Sequence, residues 1–390
     1  MEQQPGTGKR SKMYPAVKKA GAAGRAFVLQ HRAGLVLLLA GLLGIALFQA
    51  AKRNAGAMAW WVAHGSMPYK RLAAALVDPL PLSSCEVGAT LLALAVLAGL
   101  ARVFRRPRGG WPARFLAWLL HVCTAGVWIY GGVCAFWGTQ YYVPTFAQQA
   151  GMQSAAVSTE ALTSVTAYFA ARVNGTAYTV PRNADGTYAV SRRELLRQYG
   201  MVYDGLESEY PFLAGTSRRP KPAVYSKIMS AAGFTGYICP LFGETTLNVD
   251  CPAVFLGPTI AHEIAHQRGV AAELEANYCA VEACVTSGNR NWAYAGWLFG
   301  YLYLSNALYE SDRAAADASY AALCDAAKAD LRQNNRYWDQ WEGPTKQAGE
   351  TVYSGMLSGF DQPLGMKSYG ACVDLLVERY AAQAGAGAQP

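Results

Sequence analysis

Three long apolar runs stand at the front of the chain, and a shorter-period, mixed pattern follows them. Gly34 to Ala51 (GLVLLLAGLLGIALFQAA), Val87 to Val103 (VGATLLALAVLAGLARV) and Phe115 to Trp137 (FLAWLLHVCTAGVWIYGGVCAFW) hold no Asp, Glu, Lys or Arg apart from Arg102. About 20 apolar residues at 1.5 Å rise cross roughly 30 Å of hydrocarbon, so each run predicts a transmembrane helix, with Arg102 snorkelling at the end of the second. A buried core helix competes for any single run. Three runs separated by basic or Pro-rich stretches exclude it for the set. His121 lies within the third run, with no second ionisable group at similar depth in sequence, and so is a poor proton-relay candidate.

Beyond Gly138 the periodicity shortens. Ser158 to Val173 (STEALTSVTAYFAARV) opens with cap chemistry and predicts a helix, and Ser191 to Tyr199 predicts another. Asn174-Gly175 and Asn183 to Gly186 read as turns. Arg218 to Pro222 (RRPKP) reads as irregular chain leading into a strand. Thr235 to Asp250 (TGYICPLFGETTLNVD) alternates, is rich in β-branched and aromatic residues, and breaks at Pro240 and Gly243. It predicts two short strands, with ETTLNV at an edge. Helix dominates after Pro258, including Ser311 to Trp341 and Ser368 to Ala382. The fold class expected is three N-terminal transmembrane α-helices followed by an α+β, mostly helical domain with a small mixed sheet.

Charge orients this plan. The 390 residues carry 34 Lys+Arg against 26 Asp+Glu, a net of +8. To Trp137 there are 16 basic and 3 acidic residues, and from Gly138 there are 18 and 23. Positive charge confined to one end describes a membrane anchor and excludes a nucleic-acid surface. Lys9, Arg10, Lys12, Lys18, Lys19, Arg25 and Arg32 precede the first run; Arg105, Arg106, Arg108 and Arg114 sit between the second and third. Both clusters belong on the cytoplasmic side. The loop Lys52 to Cys85 and everything after Trp137 then lie outside, despite Lys52, Arg53, Lys70 and Arg71. The organisation expected is a basic cytoplasmic tail (1–33), a multi-pass domain in the cytoplasmic membrane (34–137, with spans 34–51, 87–103 and 115–137) and an extracytoplasmic domain (138–390). Its partners are the lipid bilayer and a substrate outside it. Six of the nine cysteines, Cys239, Cys251, Cys279, Cys284, Cys324 and Cys372, fall in that last domain. Disulfides and buried thiols are equally compatible with them.

The chemistry concentrates in Thr259 to Gly269 (TIAHEIAHQRG), which contains HExxH. On a helix His262 and His266, at i and i+4, project from one face and chelate one ion. Glu263 follows His262, placed to accept a proton from water, and Zn²⁺ suits a site of imidazole nitrogen and carboxylate oxygen. Gly269 allows a sharp turn after the helix. Two structural histidines on an amphipathic helix are the alternative. The flanks Ile260, Ala261, Ile264 and Ala265 are small and apolar, and the domain's only two histidines are both here, which favours the metal. A carboxylate must complete the set, from Glu273, Glu275 or Glu282 on the next predicted helix, Ala271 to Thr286. At 100° per residue Glu273 and Glu275 point about 200° apart, so only one faces the ion. Glu273 is favoured, with Asn277 beside it as a partner for a ligating histidine. Glu275 and Glu282 predict a solvated acidic face.

HEIAHQRG followed by ELEAN resembles the gluzincin metallopeptidases, in which a glutamate from an E-x-x-x-D helix joins the two histidines. Glu273 to Asn277 matches that spacing with Asn in place of Asp, and six residues separate His266 from Glu273. The resemblance implies a zincin-like domain with His262, His266 and Glu273 as ligands and Glu263 as general base. Over most of the chain, FWGTQYY (136–142), KPAVYSKIMSAAGFTGYICPLFGETTLN (221–248), HEIAHQRGVAAELEANY (262–278) and GMKSYGACVDLL (365–376) resemble the domain-of-unknown-function 3810 family of bacterial membrane proteins. That implies this architecture and no substrate.

The functional expectation is a zinc metallopeptidase hydrolysing peptide bonds outside the membrane, its substrate lying along the ETTLNV edge. Tyr294, Tyr301, Tyr303 or an arginine is the expected oxyanion donor. The alternative is a non-enzymatic metal-binding sensor or scaffold, against which the general base Glu263 argues. Prolines and charges flanking HExxH exclude an intramembrane site.

Overall fold

The computed structural model describes residues 21–105, 110–152, 157–362 and 370–386. Lys9, Arg10, Lys12, Lys18, Lys19, Arg106 and Arg108 lie outside them, as do the first residues of the GMKSYGACVDLL segment. From Arg32 onward the α-helices in chain order begin with Arg32–Ala51 (α1), Ala55–Trp61 (α2), Met67–Val77 (α3), Ser84–Arg105 (α4) and Trp111–Phe136 (α5). Three of them, α1, α4 and α5, are long and apolar enough to cross a membrane, each slightly longer than its apolar run. The chain forms two compact units, Met1–Arg53 with Ala89–Ala135, and Asn54–Gly88 with Phe136–Pro390.

In the first unit, indole N–H groups that apolar surroundings leave without water find helix carbonyls. Trp128 Nε1 donates to Leu37 O at 3.0 Å, and Trp118 Nε1 to Val96 O at 3.1 Å. The His121 ring does have an ionisable neighbour: His31 lies edge-on to it with ring centroids 6.4 Å apart.

The second unit is mostly helical, with a small three-stranded sheet packed on one of its helices. Besides several shorter helices, its further elements include Thr159–Ala177 (α6), Lys221–Pro222 (β1), Gly236–Ile238 (β2), Thr245–Leu247 (β3), Leu256–Gln267 (α7), Glu273–Thr286 (α8), Arg290–Ser311 (α9), Asp325–Asp339 (α10), Pro344–Gly359 (α11) and Gly370–Ala386 (α12). Packing of α6, α7, α8, α9 and α12 buries Val165, Phe169, Ile260, Ile264, Tyr278, Leu298 and Leu376 in one core. This burial is what fixes the helices in place. The stretch Lys52 to Cys85, read as a loop, contains α2 and α3, and from Asn54 onward it folds as part of this unit.

Three local readings change. The helix opened by Ser158, whose hydroxyl accepts from Ala161 N, runs through Asn174-Gly175 to Ala177. The Asn174 amide is spent elsewhere, donating to Ala322 O at 2.9 Å and accepting from Cys324 N at 2.7 Å ahead of α10. Lys221-Pro222 is itself a strand, parallel to β3. Most consequentially, the strand order is β1-β3-β2, so ETTLNV lies at the centre of the sheet and β1 and β2 are its two edge strands, β2 being the one that packs on α7. Here β3 is paired on both sides, and Glu244, just before it, is buried and must be matched. It accepts from Lys221 Nζ at 2.5 Å, Ser83 Oγ at 2.9 Å and Ser84 N at 2.7 Å. All nine cysteines are free thiols.

Glu275 and Glu282 are also buried, at 6% and 1% exposure, and form no solvated face. Glu275 accepts from Phe146 N and Ala147 N at 2.8 and 3.1 Å, the free donors at the start of a short helix. Glu282 accepts from Tyr380 Oη on α12 at 2.8 Å. Burial pushes its carboxyl up to about 7, with Tyr380 and Arg379 opposing. A folded pKa above the unfolded value of about 4.3 makes a contribution present below that value and lost as pH rises through the folded one. Thermal melts of the full-length protein in detergent should therefore show stability falling between about pH 5 and 7, and Glu282→Gln should remove that component while leaving the rest of the profile intact.

Candidate metal centre

The last turns of α7 carry the centre. Ile260, Ala261, Ile264 and Ala265 are wholly buried on the inner side, which turns His262, Glu263 and His266 toward a cavity of about 660 Å³. Beyond α7 the backbone enters the left-handed region at Gly269, φ +98°, a conformation strained for any side chain with a Cβ. This turn brings Val270 O back to His266 Nδ1 at 2.7 Å. It also lets α8 begin after only a few residues, at Glu273. Gln267, at the end of the helix, ties α7 to the sheet by donating to Thr245 Oγ1 at 2.8 Å.

Glu273 Oε2 lies 3.2 Å from His262 Nε2, and its Oε1 lies 3.6 Å from His266 Nε2. One ligand atom from each of the three residues falls within 4.8 Å of the others. The remaining ring nitrogens are already engaged. His262 Nδ1 pairs with Asn277 Oδ1 at 2.8 Å, as the helical spacing predicts, and His266 Nδ1 with Val270 O. Both histidines therefore present Nε2 to the same point, the arrangement that outer partners impose on ligating imidazoles. Burial opposes the Glu273 charge, but the His266 and His262 rings hold its carboxyl well below the usual carboxylate range. Three convergent donors, two imidazole and one carboxylate, fit a metal ion. Glu275 and Glu282 are not brought to the centre.

Glu263 stands beside this group, 4% exposed, and its Oε2 has no hydrogen-bond partner among the described residues. Burial pushes its carboxyl up to about 8, with His262 opposing and Glu273 adding. Strand β2 passes directly over it: a Cβ at Gly236 would come within 2.8 Å of Glu263 Oε1. Behind His266 the Trp137 ring lies edge-on at 5.4 Å. Lys70 of α3, sealed beneath, donates to His266 O and Gln140 Oε1, both at 2.8 Å. Burial, with Arg71 adding, pushes the Lys70 amine down to about 7.

The tyrosines sort differently from expectation. Tyr294 is buried and bonded to Asp330, and Tyr301 is buried next to Ser319. Of the three named, Tyr303 lines the cavity. The tyrosine at the centre is Tyr353 on α11, whose hydroxyl bonds Glu273 Oε1 and whose ring stands edge-on to Phe234 at 5.7 Å. Burial and the Glu273 charge raise its pKa. No motif or spacing connects it to HExxH, 80 residues separating it from Glu273.

A helical unit with two histidines and a glutamate converging beside a buried glutamate, in a chain with three helices apolar enough to cross a membrane, defines a membrane-type protein with a candidate metal centre. The chain belongs to the DUF3810 family, described as proteins of unknown function, whose model matches residues 68–377. No curated protein and no solved structure matches it.

Incubation of the full-length protein with Zn²⁺ followed by desalting and elemental analysis should find one bound equivalent per chain. His262→Ala and Glu273→Gln should lose it and Glu275→Gln should keep it. Asn277→Ala should weaken retention against a chelator by about 10–100-fold.

Proposed function

We propose that the protein is a membrane-anchored zinc-dependent peptidase of gluzincin type, with the centre outside the cytoplasmic membrane and the N-terminus inside. The single observation that carries this reading is Glu263, a buried carboxyl with an unpartnered oxygen beside three convergent ligand atoms. A site that only held metal for structure would have no use for it. The basic flanks of the apolar helices support the orientation.

His262, His266 and Glu273 would hold the ion, and the His₂Glu donor set is one that zinc takes. Bound there, zinc supplies Lewis acidity, polarising a carbonyl and making water a nucleophile near neutral pH. Glu263 Oε2 takes the proton from the attacking water and returns it to the departing amine, a role worth about 10²–10⁴ in rate. Asn277 and Val270 O hold the two rings in place throughout. The Tyr353 hydroxyl is the donor nearest the centre for charge developing on the substrate oxygen. An extended substrate backbone would pair with the free edge of β2, where Gly236, Tyr237 and Ile238 line the cavity. Gly236 matters twice here, letting the strand approach Glu263 and leaving room above it.

With the zinc-loaded full-length protein and a broad peptide library, Glu263→Gln should abolish cleavage while retaining zinc. Tyr353→Phe should lower kcat by roughly 10²-fold with KM little changed. Stoichiometric zinc with no cleavage of any peptide would leave the sensor or scaffold reading in its place.

A further inference from the structure

The cavity over the centre differs from the rest of the unit's polar groups in one respect. Among its described lining residues, the charge-bearing side chains are His262, Glu263, His266 and Glu273, all belonging to the centre. Its walls are Phe234, Phe255, Phe299, Leu302, Trp338 and Met356, contributed by five separate parts of the chain. Asn306 and Asn334 add polar groups without charge. At about 660 Å³ it falls within the usual size of a small-molecule or peptide subsite and is larger than one side chain requires.

We infer that this cavity selects peptide segments with apolar or aromatic, uncharged side chains on either side of the bond cleaved, an inference that rests on the peptidase reading. A backbone paired along β2 sends alternate side chains to opposite sides. Those directed at the wall meet apolar side chains, among them the Phe255 and Phe299 rings, whose centroids lie 5.7 Å apart, and Trp338 and Met356. An ionised Lys or Glu side chain placed there loses its water and finds no opposite charge outside the centre, which costs binding. Aromatic and aliphatic side chains instead gain buried area and ring contacts with Phe299 and Trp338.

The test uses full-length protein in detergent, with internally quenched peptides identical except for Phe, Leu, Lys or Glu at the two positions flanking the bond. Cleavage is read on the zinc-loaded wild type and binding, by calorimetry, on zinc-loaded Glu263→Gln. Phe and Leu peptides should be cut about 10–100-fold faster than Lys and Glu peptides and should bind the variant in the same order. Leu302→Glu, which puts an acid into the wall, should raise the Lys peptide relative to the Phe peptide by about tenfold. Cleavage that proceeds at equal rates for all four, or faster for the charged pair, overturns the selectivity and leaves the peptidase reading standing. Failure of every peptide to be cut by the wild type or bound by the variant sinks the peptidase reading, and the selectivity with it.

Discussion

A carboxylate taken out of water must be matched by donors or opposite charge, and the second unit is organised by how it meets this demand. Glu244 is matched by Lys221 and two serines, Glu275 by the first N–H groups of a helix, and Asp330 by Arg182 and Tyr188 N. Each pairing joins segments far apart in sequence, so the buried acids act as cross-ties between elements the core alone would hold loosely. Glu273 is matched by two histidines and a tyrosine. Glu263 and Glu282 each keep one oxygen without a hydrogen-bond partner among the described residues. The spare oxygen of Glu282 lies 3.6 Å from Arg379 Nε, whereas Glu263 stands beside the two histidines and Glu273 in the cavity.

The parts legible in the sequence are those set by local periodicity. The three apolar helices follow from run length, the α7 helix from HExxH at i and i+4, and the choice of Glu273 over Glu275 from 100° per residue. Asn277 behind His262 follows from the same helical geometry. Illegible were the matches made across the chain. Glu275 looks solvated until Phe146 and Ala147 are brought to it, and Asn174-Gly175 looks like a turn until Asn174 is seen holding residues near 323. Tyr353 has no signal in its neighbourhood at all, being placed by the packing of α11 across the cavity.

The order of the sheet was the costliest misreading. Alternation identifies a strand but carries no information about which neighbours it has, and ETTLNV has the composition of either an edge or a central strand. Its buried pattern, with Thr245, Thr246 and Leu247 all inaccessible, belongs to a strand covered on both faces. Gly236 is the residue that lets β2 lie over Glu263, since a Cβ there would crowd the carboxylate at 2.8 Å.

The second unit is assembled from Asn54–Gly88 and Phe136–Pro390, two stretches separated by the residues of α4 beyond its first turn and most of α5. Lys70 beneath His266 and Ser83 against Glu244 come from the early stretch, while the histidine and glutamate come from the late one. Biosynthesis therefore cannot complete this unit in the order of translation. The early stretch must wait, with its lysine and serines unmatched, while the apolar residues between the two stretches and then the late stretch itself are made. Closure of the centre is thereby a late event: the lysine is sealed beneath the histidine only once both stretches have been made.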